Sequence, residues 1–271
     1  MRRRLTRNRW TLIGLAVVAA LVIAAIAAPL LAPGDPYRGQ LANALHAPSR
    51  AFPLGTDAQG RDVLSRVLFG ARLSLTVGLT SQVIALATGL ALGLAAGFYG
   101  RTVDAVLMRA ADVTLAFPSL LLLIAIAAAV KPTLPVVCVV IGLVGWAGMA
   151  RLVRGQVLVV RRLDYVQAAR ALGASDTRLA TRHVLPNVLG PVIVAATLGV
   201  GGAIMAEAAL SFVGLGAPPP TPSWGAMVAD GRDLLRVAPW VSLFPGLAIG
   251  LTVLAVNLVG DGLRDALDVR A

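Results

Sequence analysis

The chain has 271 residues, of which 58% are hydrophobic and only 14% are charged, and its mean hydropathy is +0.82. Soluble domains carry about 25% charged residues, so this sequence has too few ionic side chains to wet a globular surface. The composition therefore indicates an integral membrane protein, and the length allows one membrane domain of several spans. The formal net charge of +11 suggests either nucleic-acid binding or the arginine excess that marks one side of a membrane protein.

Several residue types are so rare that they exclude whole classes of site. The single Cys, Cys138, rules out an intramolecular disulfide and any cysteine-rich metal site. A phosphate-binding loop needs Lys followed by Ser or Thr, whereas the only Lys, Lys131, precedes Pro132. The chain therefore lacks the P-loop that binds ATP. We predict no catalytic residue, no metal site and no cofactor in this chain.

Six apolar segments approach the length of about 20 residues that a transmembrane helix needs. The third and fourth are short and are predicted to form a helical hairpin around residues 131–133. The first has the arginine-rich start of a signal peptide, but its apolar run is long and five more spans follow, so we expect a retained anchor. The predicted spans are Leu12–Leu31, Leu75–Phe98, Val113–Val130, Leu134–Ala150, Val188–Val213 and Val241–Val259.

The distribution of basic residues predicts how these spans are oriented. Sixteen Lys and Arg residues fall in the two termini and in the loops after the second and fourth spans, and eight fall on the opposite side. By the positive-inside rule, both termini are expected in the cytoplasm. No single soluble face gathers the positive charge, so we expect a lipid bilayer and no nucleic acid around the chain. The predicted fold is an all-α integral membrane protein with six transmembrane helices.

The chain is divided into two segments at residue 72. Residues 1–72 hold the N-terminal tail, the first transmembrane helix and an external segment, and residues 73–271 form the transmembrane domain, with a cytoplasmic loop at 151–187. In the second span, Gly89, Gly93 and Gly97 repeat every fourth residue, which lets two helix backbones approach closely. This glycine face packs either within the chain or against a second membrane subunit.

The cytoplasmic loop carries the most informative pattern. A short predicted helix ends at Leu172, where Gly173 is free to adopt the left-handed conformation of a helix C-cap. Ser175 or Asp176 is then expected to cap a second short helix, and Pro186 marks the break before the next span. A helix–turn–helix of this size suits docking into a groove of another protein. The alternative is an amphipathic loop that lies on anionic lipid.

This loop resembles the EAA loop of ABC importer permeases. Gln167-Ala168-Ala169 is followed after three residues by Gly173 and later by Leu185-Pro186, at the spacing of that family. Gln167 replaces the usual Glu and removes a charge, and His183 replaces an apolar residue. The resemblance implies a coupling helix that docks on a cytoplasmic ATPase. The residues that it assigns to this contact are Gln167, Ala168, Ala169, Arg170, Leu172, Gly173, Leu185 and Pro186.

Further motifs along nearly the whole chain are similar to those of the C-type permeases of dipeptide, oligopeptide and nickel importers. They are Leu54–Asp57, Gly60–Asp62, Ser65-Arg66, Asp104, Met108-Arg109, Asp112, Pro118, Ser211–Gly216, Trp224-Gly225, Asn257–Asp261 and Leu263–Asp265. The resemblance implies the type I importer permease fold, in which residues 73–271 are the permease domain and residues 151–187 are the coupling loop. It also implies a location in the bacterial inner membrane.

The same resemblance implies the partners of the chain. They are a second, B-type permease subunit, one or two cytoplasmic ATPase subunits that bind ATP and Mg, and an external solute-binding protein. The chain itself is then half of the translocation pathway and hydrolyses nothing. Di- or oligopeptides are the first expectation for the cargo, and nickel, haem or glutathione are the alternatives.

The external segment before the second span holds one candidate site. Asp57 is predicted to cap a helix that runs to about Phe69 and lies along the outer membrane interface. The functional alternative is that Asp57, Arg61, Asp62 and Arg66 contact the solute-binding protein.

Glu207 is the only carboxylate deep inside a predicted span, where a charged group costs about 2.5–3.5 kcal/mol on insertion scales. It either lines the translocation path or its gate, or makes a buried hydrogen bond that holds the fifth span to its neighbours. A proton-coupled secondary carrier is a rival function that rests on Glu207 alone and leaves the cytoplasmic loop unexplained. An intramembrane enzyme is disfavoured because His46 and His183 are predicted on opposite sides of the membrane and cannot share a site.

Overall fold

The computed structural model of the chain describes residues 8–131 and 133–267. Within those ranges the fold consists of nine helices of eight residues or more, and β-structure is limited to an isolated bridge between Thr56 and Asp62. The helices are α1 (Arg9–Ile26), α2 (Val63–Tyr99), α3 (Arg101–Ala116), α4 (Ser119–Ala129), α5 (Leu134–Val160), α6 (Asp164–Ala171), α7 (Leu185–Phe212), α8 (Trp224–Gly231) and α9 (Trp240–Leu267).

Five helical stretches of the described chain are long and apolar enough to cross a membrane. They are α1, α2, α5, α9 and the stretch Asp176–Phe212, which ends in α7. Helices α3 and α4 meet the same criteria only as a pair, and their directions differ by 90°. Residues 8–131 and 133–267 therefore contain five candidate spans, or six if the bent pair is one span. The prediction of an all-α membrane fold is confirmed.

The third span is not the single helix Val113–Val130 that the sequence predicts. Phe117 has φ −88° and ψ 139°, an extended conformation that ends α3. The cause is Pro118, because proline disfavours helical angles in the residue that precedes it. The following helix, α4, has only 11 residues, or about 16 Å of helix, against a hydrocarbon core of about 30 Å. Helix α4 therefore reaches about half way across a membrane.

Helix α2 has 37 residues and is about 55 Å long. Its N-terminus is capped by Asp62, whose side chain accepts a hydrogen bond from the Ser65 backbone N–H at 2.7 Å. The prediction that Asp57 caps a separate helix ending near Phe69 is therefore wrong: the helix begins after Asp62 and continues without a break into the second span. The same helix also runs across the division placed after residue 72.

Helix α2 packs against α5 through the glycines that repeat every fourth residue. A Cβ atom added at Gly89 would lie 2.5 Å from the Cβ of Met149, and one at Gly97 would lie 2.7 Å from the Cβ of Val157. A Cβ atom at Gly93 would overlap the backbone oxygen of Ala150. The glycine face therefore packs within the chain.

The two ends of the bundle are built from different contacts. At one end, called the coupling end here, the residues that follow α5 contact the last turn of α2. At the other, the outer end, the residues before α2 contact α8 and the start of α9. The Trp224 indole donates to the Val67 carbonyl at 2.9 Å, and the Trp240 indole donates to the Thr56 carbonyl at 3.0 Å. These two tryptophans attach the outer end to the bundle.

We expect Gly93→Ala to destabilise the chain, because the new Cβ overlaps the Ala150 backbone and forces α2 away from α5. Overpacking of this kind costs about 1–3 kcal/mol. Gly155→Ala on α5 is the matched control, since a Cβ atom there meets nothing within 4 Å. Each variant is heated in mild detergent, and the fraction that stays monodisperse is measured by size-exclusion chromatography. Equal losses for both variants would contradict the packing argument.

Candidate functional site

The coupling end is built around α6 and the turns that follow it. Gly173 ends α6 with φ +81°, the left-handed conformation that its place in the sequence predicts. The Ser175 side chain accepts a hydrogen bond from the Arg178 backbone N–H and caps the turn Asp176–Arg178. A π-helix, Leu179–Val184, then leads into α7. The predicted first helix and turn are present, with Ser175 as the second cap. The prediction of a break at Pro186 is wrong, because Pro186 lies in the first turn of α7 and the helical stretch Asp176–Phe212 continues through it.

One face of α6 is anchored to the membrane helices and the other is free. Val166 is fully buried in an apolar cluster with Phe98, Val157 and Leu179. Leu172, at the end of the helix, is 89% exposed. One face of α6 is therefore packed against the membrane helices, and the opposite face is exposed.

The predicted coupling residues lie mainly on the free face. Six of the eight are exposed and two are half-buried, so most remain accessible in this chain. The half-buried residues are Ala169 and Leu185, and the exposed ones are Gln167, Ala168, Arg170, Leu172, Gly173 and Pro186. Their contact with an ATPase stays a prediction.

Polar contacts also tie α6 to the end of α2. Gln167 Nε2 donates to the Arg161 carbonyl at 2.6 Å, and the Arg170 guanidinium lies 5.9 Å from the centre of the Phe98 ring. Arg161 Nη1 in turn donates to the carbonyls of Gly97, at 2.7 Å, and Phe98, at 3.3 Å. Sequence reasoning missed Arg161, because it ended the fourth span at Ala150 and counted Arg161 among the orienting charges of the loop, whereas α5 continues to Val160.

A cavity of about 480 Å³ opens between α2, α5 and α7, beside the bend between α3 and α4. The described side chains that line it are uncharged and mostly small or apolar, with Ser81, Gln82 and Ser119 as the polar exceptions. The Ser81 hydroxyl is buried and has no hydrogen-bond partner within the described part of the chain. Buried polar groups normally have a partner, so this hydroxyl is an unsatisfied group behind the cavity wall. The cavity could not be predicted from the sequence, because its polar residues are isolated within apolar segments.

Glu207 lies in a cage of three serine hydroxyls and is only 1% exposed. Ser211 donates to Oε1 at 2.6 Å, Ser223 donates to Oε1 at 2.8 Å, and Ser74 donates to Oε2 at 3.3 Å. The serines belong to α7, the N-cap of α8 and α2, so one carboxyl group joins three helices. The neighbouring Ala206 lines the cavity, whereas Glu207 does not. These contacts favour the structural alternative for Glu207, and a role in the path or gate stays a prediction.

Three of the four predicted external residues, Asp57, Arg61 and Arg66, form one cluster at the outer end, whereas the Asp62 carboxylate bonds Ser65 at the start of α2. Asp57 accepts from Arg61 Nε at 2.6 Å, and its carboxylate lies 3.6 Å from Arg66 Nε. Asp57, Asp62 and Arg66 are buried, and only 14% of the Arg61 side chain is exposed. Arg66 also donates to the Pro36 carbonyl at 3.1 Å, which fixes the external segment on α2. Contact of these residues with a binding protein stays a prediction.

The cluster extends to α8 through a longer charge contact. Arg61 Nη2 lies 3.9 Å from the carboxylate of Asp230. Burial raises the pKa of Asp230 above its ordinary value, and the positive charges of Arg66 and Arg61 oppose that shift. Helix α8 is thus attached to the external segment by charge and to α7 by the serine cage.

Comparison with known proteins gives the family. Residues 89–271 match the family model of binding-protein-dependent transport system inner membrane components. The chain belongs to this family. Residues 1–48 also match the N-terminal transmembrane domain of oligopeptide transport permease C. The type I importer permease fold and the inner-membrane location that the motifs imply are thereby confirmed, whereas the orientation of the termini stays a prediction.

Relatives of this permease align over most of the chain. It is 45% identical over 266 residues to the dipeptide transport system permease protein DppC of Alkalihalophilus pseudofirmus, covering 98% of this chain and 88% of the relative. It is 40% identical over 265 residues to the oligopeptide transport system permease protein OppC of Bacillus subtilis, covering 98% and 87%. It is also 46% identical over 221 residues to the glutathione transport system permease protein GsiD of Pectobacterium atrosepticum, covering 82% and 73%.

We expect Asp57→Asn to lower the stability of the permease, because it leaves the guanidinium groups of Arg61 and Arg66 without their carboxylate. Breaking a buried ion pair in this way costs about 3–5 kcal/mol. Asp35→Asn is the control, since the Asp35–Arg38 pair is exposed and such pairs contribute about 0–1 kcal/mol. Thermal inactivation in detergent compares the two variants, and similar midpoints would mean that the cluster does not stabilise the outer end.

Glu207→Leu removes the acceptor that three buried hydroxyls share, and each unsatisfied group costs about 1–3 kcal/mol. We expect the variant to be expressed but to have lower stability and impaired peptide uptake. Glu207→Gln keeps a carbonyl acceptor in the same place and is expected to lose less of both. Uptake and thermal stability are measured in cells and in detergent. Wild-type uptake by Glu207→Leu would exclude a role for this residue in the path.

Proposed function

We propose that this permease is one of two membrane subunits of an ATP-driven importer of di- or oligopeptides. The observation that carries the cargo class is the similarity of nearly the whole chain to permeases that are named for dipeptide and oligopeptide transport. Glutathione, for which another relative is named, is itself a tripeptide. Nickel and haem are the remaining alternatives for the cargo.

The energy comes from partner subunits in this proposal. The sequence has no Lys-Ser or Lys-Thr pair for a P-loop, so ATP and Mg bind to one or two separate ATPase subunits. The anchored helix α6, with Leu172 exposed at its end, supports docking of an ATPase at the coupling end. The short helix α4 supports a second permease subunit beside the cavity. Helix α4 does not cross the whole membrane, so this chain alone does not separate the cavity from lipid on that side.

The cavity between α2, α5 and α7 is this chain's share of the translocation path. Gln82 and Ser119 offer neutral hydrogen-bonding groups, which suit the main-chain amides that all peptides share. Small residues such as Gly145 and Gly202 leave room for side chains of different size. The described part of the cavity wall carries no charged side chain, so it does not discriminate between peptides of different net charge. Selection then rests with the solute-binding protein that delivers cargo to the outer end.

The transport cycle follows from this arrangement. Binding of ATP brings the two ATPase subunits together and draws the coupling segments of the two permeases toward each other. The cavity then opens to the outer side and receives the peptide from the binding protein. Hydrolysis of ATP separates the ATPases, returns the cavity to the cytoplasmic side and releases the peptide there.

Purification of the tagged chain from native membranes in mild detergent tests the assembly. We expect mass spectrometry to identify a second six-span permease and an ATPase. Gly173→Val places a β-branched residue at φ +81° and is expected to release the ATPase while the second permease is retained. Gly214→Val is the matched control, because Gly214 has the same φ at the outer end. A chain that purifies alone would contradict the importer assignment.

Uptake by cells tests the cargo. Cells that lack the chain are expected to lose uptake of radiolabelled Ala-Ala or Ala-Ala-Ala and to regain it when the gene is restored. Loss of nickel uptake with unchanged peptide uptake would transfer the assignment to nickel. Peptide transport by the purified chain alone in liposomes, without ATP, would support the proton-coupled carrier instead.

A further inference from the structure

We propose that Arg161 transmits the movement of α6 to α2 and so connects the ATPase to the cavity and the outer end. This inference rests on the proposed function, and it makes Arg161 a positioning residue of the transport cycle. Three links carry it: the contact of α6 with Arg161, the contact of Arg161 with α2, and the continuity of α2 itself.

The first link is the hydrogen bond from Gln167 Nε2 to the Arg161 carbonyl, at 2.6 Å. A carbonyl oxygen only accepts hydrogen bonds, so the group that faces it must carry an N–H or O–H. The amide of Gln167 meets this requirement, and an ionised Glu at the same position does not. The amide that replaces the usual Glu of this loop therefore has a function of its own: it ties α6 to the residue that follows α5.

The second link is the pair of hydrogen bonds from Arg161 Nη1 to the carbonyls of Gly97, at 2.7 Å, and Phe98, at 3.3 Å. These carbonyls belong to the last turn of α2, where a helix has no partners of its own for its C=O groups. A positive charge is also favourable at a helix C-terminus. Arg161 therefore caps α2, at the point where Gly97 holds this helix tightly against α5.

A direct contact between α6 and α2 supplements the link through Arg161. The Arg170 guanidinium lies 5.9 Å from the centre of the Phe98 ring, and the buried Val166 shares an apolar cluster with Phe98. Helix α6 is thus attached to the last turn of α2 at two places. Two attachments transmit a rotation of α6 as well as a translation.

The third link is the uninterrupted course of α2. The stretch that leads from α6 into the next span changes to a π-helix at Leu179–Val184, and α7 and α9 contain Pro191 and Pro245. Helix α2 contains no proline and runs unbroken for 37 residues. It carries Gln82 of the cavity wall and Ser74 of the serine cage. A displacement of its inner end therefore reaches the cavity and the outer end together.

Arg161→Met tests the relay in the intact complex, purified through a tag on this chain and reconstituted in liposomes with its binding protein. We expect the ATPase to co-purify and to hydrolyse ATP at close to the wild-type rate. Uptake of Ala-Ala per ATP hydrolysed should fall about tenfold, within the range by which coupling residues act. Arg162→Met removes the same charge one residue further on, where the side chain is exposed, and should behave as the wild type.

Two further variants separate transmission from a general effect on folding. Arg161→Lys keeps a donor that can reach the Gly97 carbonyl and should restore part of the coupling. Gln167→Glu abolishes the donor to the Arg161 carbonyl and should lower uptake per ATP by itself. Because both residues belong to one relay, Gln167→Glu should cause little further loss of uptake per ATP in a chain that already carries Arg161→Met. Fully additive losses would contradict a shared relay.

A second readout follows the cavity independently of the cargo. In a Cys138→Ala background, Gln82→Cys is labelled with a charged methanethiosulfonate reagent with and without ATP and vanadate. We expect trapping to change the labelling rate in the otherwise wild-type chain and to leave it unchanged when Arg161→Met is added.

Each outcome has a distinct meaning. Wild-type uptake per ATP and a normal labelling change in Arg161→Met would refute the relay, and so would loss of the ATPase from the complex, which would make Arg161 a docking residue. Failure of the wild-type complex to take up Ala-Ala would contradict the proposed function, and the labelling experiment would still decide the relay.

Discussion

The contact between α2 and α5 depends on the absence of side chains at Gly89, Gly93 and Gly97. Lipid tails are as apolar as leucine, so helices in a membrane associate through dispersion contacts and close backbone approach, with little help from hydrophobic burial. The glycine face provides this approach over the inner half of α2. It brings the last turn of α2 to the residue that follows α5, and it sets two walls of the cavity. The coupling end and the cavity thus depend on one helix interface.

The outer half of α2 is held by polar contacts instead. Glu207 accepts hydrogen bonds from three serine hydroxyls. Asp57 forms ion pairs with two arginines and accepts hydrogen bonds from two backbone N–H groups. A buried carboxylate without such donors is costly, which explains why each of these groups collects several partners. The serine cage joins α2 to α7 and α8, and the Asp57 cluster joins α2 to the external segment that precedes it. Glycine packing is thus concentrated on α5 in the inner half of α2, and buried carboxylates supply the main polar contacts of its outer half.

These two kinds of contact also explain how far the sequence could predict the structure. The spans, the family and the cap at Gly173 follow from local patterns of hydropathy and backbone conformation. A buried hydrogen bond of Glu207 was one of two predicted alternatives, but its three serine partners were not predicted, because sequence pattern does not show which serines face a distant carboxylate. The bend at Phe117 had a local signal in Pro118, but hydropathy continues through it unchanged. Arg161 was hidden because its charge also fits the orientation rule.

The shortness of α4 has a consequence for how cells handle this protein. The helical backbone is interrupted at Phe117. Because α4 spans only about half of the hydrocarbon core, this interruption lies about half the thickness of the core away from the other end of α4. Acyl chains offer no hydrogen bonds, so a backbone break at that depth is stable only beside protein or water. In the proposed assembly the second permease covers it. A copy made without its partner leaves the backbone at this bend uncovered on that side. The abundance of this subunit is therefore expected to follow that of its partner.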